Sequence, residues 1–308
     1  MKPCTQLKLY GYKDLFNTLI RLDNNKSLPN KFIISGKKGI GKSTFAYHFV
    51  NYIFSKNEQH NYNLNNFEIN EHNRSYTLIN KSSHPNFFLI DVSENKKKID
   101  INQIRNALDF SNKSSFNNDY RIILIDNIEY LNINSANALL KIIEEPNEKL
   151  MFILIHNSTK KILSTIKSRC IVFNKNFRTE DNIKIFENLT NEKIDQSMNK
   201  NILNRYMSIG DLYKIKKFSE ENKIDLSDTN HHDFLKILFN STHKKNENNT
   251  ELTILFIQIY FYKSLIKCFA HKIFEQQNYF YKKIHNANKY NLDLENIFLE
   301  FKTRILNE

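Results

Sequence analysis

The sequence predicts an α/β fold: a doubly wound parallel sheet opened by a phosphate-binding loop, then a purely helical remainder. Three observations predict it. The run from Lys31 to Val50, KFIISGKKGIGKSTFAYHFV, fits G-x-x-x-x-G-K-[ST] with Gly36, Gly41, Lys42 and Ser43 in register. Short apolar runs alternate with segments of helical period as far as about residue 176. Beyond that point no further strand–loop–helix unit occurs.

Leu7 to Leu28 reads as an opening helical segment with Leu15, Leu19 and Leu22 on one side, and Leu28-Pro29-Asn30 turns the chain into the first strand. Phe32, Ile33 and Ile34 form that strand, and Thr44 to Ile53 is apolar at helical spacing through Phe45, Phe49, Tyr52 and Ile53. The chain has 5 Gly, and Gly36, Gly39 and Gly41 all fall between these two elements. Glycine lets the backbone turn tightly and aim its N–H groups at phosphate oxygens at the positive end of the next helix. The binding segment is Gly36, Lys37, Lys38, Gly39, Ile40, Gly41, Lys42, Ser43 and Thr44. Lys42 reaches the β/γ-phosphates and the Ser43 hydroxyl ligates magnesium in such a loop. An ordinary glycine turn is the bland alternative.

Ser55 to Ser83 is polar, rich in Asn and His, and reads as a loop or short irregular insertion. Its histidines and the next one (His60, His72, His84) lack ligand spacing and read as solvated surface. Asn86 to Val92 is the second strand. Lys96-Lys97-Lys98 lies in a loop, and Ile101, Ile104, Ala107 and Leu108 mark a helix. Arg121 to Asp126, RIILID, is a third strand, a nearly continuous apolar run as expected for a parallel sheet covered on both faces. Asn132 to Glu145 is a helix stopped by Pro146, Met151 to Ile155 a fourth strand, Lys160 to Lys167 a short helix, and Ile171 to Phe173 a fifth strand. In the remainder, Asp181 to Leu189, Ile202 to Phe218 and Asp233 to Phe239 read as helices, and Asn240 to Thr250 as a polar linker. Leu252 to Phe280 reads as one long amphipathic helix and Leu292 to Leu306 as the last. The long helix carries the stripe Leu255, Ile259, Tyr262, Ile266 and Phe269, suited to core burial or to a shared intersubunit face. Three domains follow: 1–176 for nucleotide binding, a small helical domain over 177–230, and a helical bundle over 231–308.

Asp126 ends a parallel strand beside the phosphate loop, where a carboxylate holds magnesium directly or through water. Hydrolysis needs a second carboxylate to polarise water. The next residue is Asn127, which cannot accept a proton, and Glu129 substitutes only if the turn swings it inward. Nucleotide binding is therefore better supported than hydrolysis. The 3 Cys (Cys4, Cys170, Cys268) are scattered without C-x-x-C spacing, which excludes a disulfide framework and a four-cysteine zinc site. No run of eighteen apolar residues exists and the N-terminus lacks a signal-peptide pattern, so the expected location is the cytoplasm, with no membrane contact. A net charge of +12 suits a polyanionic partner, nucleic acid first. Lysine scattered among Asn and Ile makes that a weak argument by itself.

The string from Ala136 to Cys170, with Ala136 to Lys141, Glu144-Glu145-Pro146 and Thr165-Ile166-Lys167-Ser168-Arg169-Cys170, resembles the clamp-loader AAA+ family of bacterial DNA polymerase III, and its delta-prime branch in particular. The likeness extends to Leu28-Pro29, His84-Pro85 and Ile101 to Arg105, and reappears at Asn291-Leu292-Asp293. It implies an AAA+ domain, a helical lid and a collar. It implies a five-subunit ring with the motor subunits and the delta subunit, acting on the sliding clamp and on primer-template DNA. Arg169 is then an arginine finger acting in trans on a neighbour's γ-phosphate. The nucleotide sensor is His156 or Asn157, with Asn157 preferred for its amide. Hydrolysing relatives carry Asp-Glu at the position of Asp126-Asn127, and a lid arginine near Ser208-Ile209-Gly210-Asp211, where Lys214 is the nearest cation. The zinc cysteines of many relatives are missing from Phe67 to Pro85. The resemblance thus implies ATP and Mg2+ binding, doubtful hydrolysis and no zinc. The rival readings are a motor-type (tau/gamma) ATPase, and a stand-alone AAA+ helicase or initiator.

Overall fold

The computed structural model describes residues 2–93, 96, 98–113, 120–144, 149–241, 247–268, 270–290 and 292–306. The chain divides into two compact units, Met1–Asp181 and Asn182–Glu308.

In the first unit the elements run α1 (Lys13–Asn24), β1 (Lys31–Gly36), α2 (Lys42–Phe54), α3 (Arg74–Asn80), β2 (Phe87–Ile90), α4 (Ile101–Asn112), β3 (Arg121–Ile125), α5 (Ile133–Glu144), β4 (Leu150–Asn157), α6 (Ser164–Lys167) and β5 (Ile171–Asn174). The five strands form one sheet of order β2-β3-β4-β1-β5, parallel throughout. Side chains alternate across a pleated strand, so consecutive residues feed opposite faces. Phe32, Ile34, Ile122, Leu124, Met151, Ile153 and Ile155 pack with α1 and α2. Ile33, Ile123, Ile125, Phe152 and Leu154 pack with α4 and α5 on the other side. Both faces are therefore covered, which is why β3 beyond Arg121 and β4 as far as Ile155 are apolar at every position.

Several expectations need correction. The first helix is shorter than Leu7 to Leu28, because Leu7 to Leu9 runs beside the 55–83 segment: Leu9 N donates to Phe67 O and Ile69 N to Leu7 O. The 55–83 segment is not an irregular loop. Tyr62, Phe67, Ile69 and Ile79 enter the core behind α2, although they follow no local period. Buried polar contacts complete it: His48 pairs with Tyr62 Oη and Gln6 O, Asn51 Nδ2 donates to Asn73 Oδ1, and Asn73 Nδ2 donates to His60 O. His60 and His72 are exposed as expected, whereas His84 stacks on Phe54 at 4.2 Å and its Nδ1 accepts from Asn86 N. Lys97 and Pro146 lie outside the described residues.

The second unit follows α7 (Thr179–Thr190) with α8 (Ile194–Ser197), α9 (Ile209–Asn222), α10 (His231–Ser241), α11 (Glu247–Lys267), α12 (His271–Tyr290) and α13 (Glu295–Ile305). One apolar core runs from Phe186 through Phe218, Phe234, Phe256 and Phe261 to Phe280 and Phe301. The expected helix over Ile202 to Phe218 begins only at Ile209, because Ser208 and Asp211 form a reciprocal cap there. The expected helix over Leu252 to Phe280 is two helices that fold back on one another, bringing Phe261 and Phe280 to 6.1 Å. One unbroken rod would leave the faces of both Phe261 and Phe280 without this shared core. The expected stripe is also displaced. Ile259 is buried, Leu255 and Tyr262 are half-buried, Ile266 is exposed, and Phe269 lies outside the described residues. The helix packs against α9, α10 and α12, so Leu252, Phe256, Ile257 and Phe261 carry the burial instead. The polar stretch after α10 is shorter than 240–250, since α11 starts at Glu247. Leu292 is exposed and the last helix begins three residues later, at Glu295. No helix of the described residues is long and apolar enough to cross a membrane.

Candidate nucleotide-binding site and exposed arginine

Register brings the site together at the carboxyl ends of the strands. Gly36 pairs with Asn157 across β1 and β4, and Ile125 pairs with Leu154 across β3 and β4. The end of β1, the end of β4 and Asp126 thus share one edge of the sheet, where open α/β folds bind ligands.

Two glycines of the loop are dictated by geometry. A Cβ on Gly36 would stand 2.3 Å from Lys175 O and 2.7 Å from Ile40 Cδ1, so the backbones at β1 and β5 approach too closely for any side chain. Gly41 caps α2 in the left-handed region at φ +82°, a conformation that a Cβ disfavours. Lys37 is half-buried, Lys38 and Gly39 are exposed, and Ile40 is buried, with its carbonyl accepting from Tyr12 Oη at 3.0 Å. Ser43 and Thr44 are half-buried in the first turn of α2.

Lys42 is only 6% exposed, and its Nζ donates to Gly36 O at 2.9 Å and Lys37 O at 2.7 Å. Burial pushes its pKa down from 10.5 to about 8, with the Asp126 and Glu129 charges acting the other way. Ser43 Oγ donates to Asp126 Oδ2 at 2.6 Å. Burial raises the Asp126 carboxyl to about 6, the Asp91 charge adds to this, and the Ser43 and Asn127 N–H bonds oppose it. Hydroxyl and carboxylate oxygens are the hard donors that Mg2+ prefers, completed by water and phosphate rather than by a protein cage. The residues present fit that ion, although among the described residues no three His, Cys, Asp or Glu cluster as a closed metal site.

Asn127 sits in the left-handed region at φ +57°, and its Nδ2 donates to Asp91 Oδ1 at 2.8 Å. Its side chain is thereby committed to Asp91. Sequence reasoning missed Asp91. The signal was there, since NFFLID ends on an acid just as RIILID does, and both are parallel strand ends. Glu129 does swing inward: its Oε2 accepts from Asn157 N at 3.1 Å and its charge bears on Lys42. The two sensor candidates differ. His156 Nδ1 pairs with Ser35 Oγ at 3.0 Å and Nε2 with Lys160 O at 2.9 Å, so both ring nitrogens are engaged. Asn157 Oδ1 accepts from Thr159 N and Oγ1. Within the second unit, Lys214 is ion-paired to Glu251.

Arg169 follows α6, away from these groups in the chain but in the same unit, and its side chain is 37% exposed. Nε and Nη2 meet Glu144 Oε1 at 2.8 and 2.7 Å, and Nη1 donates to Thr165 O at 3.0 Å. Cys170 is half-buried against the core, which pushes its thiol up to about 11 and keeps it protonated and unreactive.

A sequence model of the family described as DNA polymerase III, delta subunit, matches residues 11–178. The DNA polymerase III subunit delta' of Buchnera aphidicola subsp. Schizaphis graminum is 28% identical over 194 residues, covering 59% of this chain and 56% of that protein. The corresponding protein of Buchnera aphidicola subsp. Baizongia pistaciae is 44% identical over 66 residues, 20% of each chain. The chain thus spans between a fifth and a little over half the length of these relatives. Among solved structures, a DNA polymerase III gamma subunit-related protein from Thermotoga maritima is similar at TM-score 0.45 and 17% identity, over 94% of this chain and 99% of that one. The family match covers more than half of the chain, in a span that contains the phosphate loop, Asp126 and Ser168-Arg169-Cys170, so the chain belongs to the DNA polymerase III delta-subunit family, among its delta-prime-type clamp-loader proteins.

Proposed function

We propose that this chain works as a delta-prime subunit in a five-subunit clamp loader, beside motor ATPase subunits and a delta subunit, and helps load the sliding clamp onto primer-template DNA. It binds ATP and Mg2+ through Gly36 to Thr44, Asp126 and Asn157, and lends Arg169 to a neighbouring ATPase site. Residues 177–230 act as lid and 231–308 as collar, and the complex works in the cytoplasm. A bound metal ion would offset phosphate charge. The chain's own part is to cradle phosphate with loop N–H groups and Lys42, and to hold the Ser43 and Asp126 oxygens at one point. DNA is met through its backbone, so binding falls steeply with salt and shows little sequence preference.

The finger reading rests most on Arg169 itself: its guanidinium reaches the surface of its unit instead of being enclosed in the core. The pairing of Asn127 with Asp91 supports the view that the chain's own ATPase is weak or absent. The inward Glu129 favours a second reading, a hydrolysing motor-type subunit. Arg169→Ala in the complex reassembled with its co-purifying ATPase subunits is expected to leave the chain folded while cutting DNA-dependent turnover at least a hundredfold at the site it serves. Undiminished turnover removes the finger assignment. Substantial ATP turnover by the purified chain, abolished by Glu129→Gln, selects the motor reading.

A further inference from the structure

We infer that Glu144 is the positioning residue of Arg169, holding the guanidinium ready for a phosphate on the adjoining subunit; this rests on the finger reading above. Glu144 is the last residue of α5 and Arg169 lies 25 positions on, just past α6, so only the fold brings them together. One carboxylate oxygen, Glu144 Oε1, accepts from Nε and lies 2.7 Å from Nη2 in the ion pair, gripping one edge of the guanidinium plane. The other end is held by Thr165 O at 3.0 Å, with Ser168 Oγ at 3.4 Å from Nη1.

The exposure of the pair decides what this grip does. Arg169 is 37% and Glu144 49% exposed, and ion pairs this wet contribute little to stability. Their effect lies in orientation. A free arginine at a surface samples many rotamers, and that freedom is lost when it must meet a developing charge in one geometry. A side chain held from two directions by its own subunit has lost most of this freedom beforehand, so less is lost on docking. The carboxylate tempers the charge of the finger without cancelling it, since its hydrogen bond is made by Nε and not by Nη2.

The test uses the reassembled complex and separates kcat from KM for ATP. Glu144→Ala is expected to lower kcat about three- to tenfold with KM within about twofold, because ground-state nucleotide binding on the neighbour does not involve it. Glu144→Gln, whose carboxamide oxygen can accept the same fork, restores most of the rate. Glu144→Asp, with the carboxylate drawn back by one methylene, falls between and decides the matter if the alanine variant loses stability. In an Arg169→Ala background, Glu144→Ala adds nothing further. Turnover of Glu144→Ala at or above that of the parent, or an equal loss without Arg169, overturns the proposal. If Arg169→Ala is itself silent, the finger reading fails and this inference with it. A silent Glu144→Ala beside a damaging Arg169→Ala overturns the positioning role alone.

Discussion

Nucleotide affinity of this chain should pass through a maximum near pH 7, because the two buried charges that serve the phosphate loop are displaced toward neutrality from opposite sides. Lys42 falls from 10.5 to about 8, a disfavouring of its charge worth about 3 kcal/mol, and Asp126 rises from 3.8 to about 6, worth about 3 kcal/mol as well. At pH 7 both are about nine-tenths charged, whereas at pH 9 only about a tenth of Lys42 and at pH 5 about a tenth of Asp126 remain so. If only the charged forms bind Mg-nucleotide, affinity drops about tenfold per pH unit beyond each limb. The assay is a titration with a fluorescent ATP analogue and excess Mg2+ from pH 5 to 9.5 at constant ionic strength. Asp126→Asn should remove its share of the acid limb and leave only the nucleotide's own phosphate titration, while Lys42→Ala should abolish binding. The stability signs run differently and separate deprotonation from unfolding. The folded chain holds the Asp126 proton more tightly than the unfolded chain does, so this group's contribution to stability falls as pH rises from 3.8 to about 6. The folded chain gives up the Lys42 proton more readily, so its contribution rises between about 8 and 10.5, the range where binding is lost. Affinity that is flat from pH 6 to 9.5 would refute the reasoning.

Four further predictions concern stability. Gly36→Ala places a methyl group against Lys175 O and Ile40 Cδ1 and should cost about 1–3 kcal/mol, a Tm loss of several degrees. Gly41→Ala meets only Tyr12 Cε2 at 3.8 Å and bears the left-handed cost alone, about 1–2 kcal/mol, while disturbing the loop more than the core. Melting curves that show Gly36→Ala as stable as the parent contradict the close β1–β5 approach. Asn73→Ala removes the cap on Tyr76 N and unpairs Asn51 Nδ2 and His60 O, at about 2–4 kcal/mol, and should speed amide exchange across 55–83. A chelator should leave the Tm of the parent unchanged; a chelator-induced drop would mean that a metal holds this segment together.

What the sequence determined by itself was whatever depends on local pattern. Glycine at 36, 39 and 41 before Lys42-Ser43 specified the loop, and apolar runs of strand length located all five strands to within a few residues. Asp126 was legible because RIILID ends where the apolar run ends. Helix boundaries in the second unit were less so. The cap formed by Ser208 and Asp211 sets where α9 starts, whereas the reversal near Cys268 carries no Pro and no Gly, so packing around Phe261, Phe280 and Phe301 decides where α11 stops. The tertiary structure alone decided the contacts between distant positions: Asn127 with Asp91, Glu129 with Asn157, Asn73 with Asn51, and Arg169 with Glu144. Each joins residues from different strands, helices or turns, and no period along the chain encodes their meeting. Hydrophobic spacing says which face a residue belongs to, but strand order and register determine which polar groups share an edge.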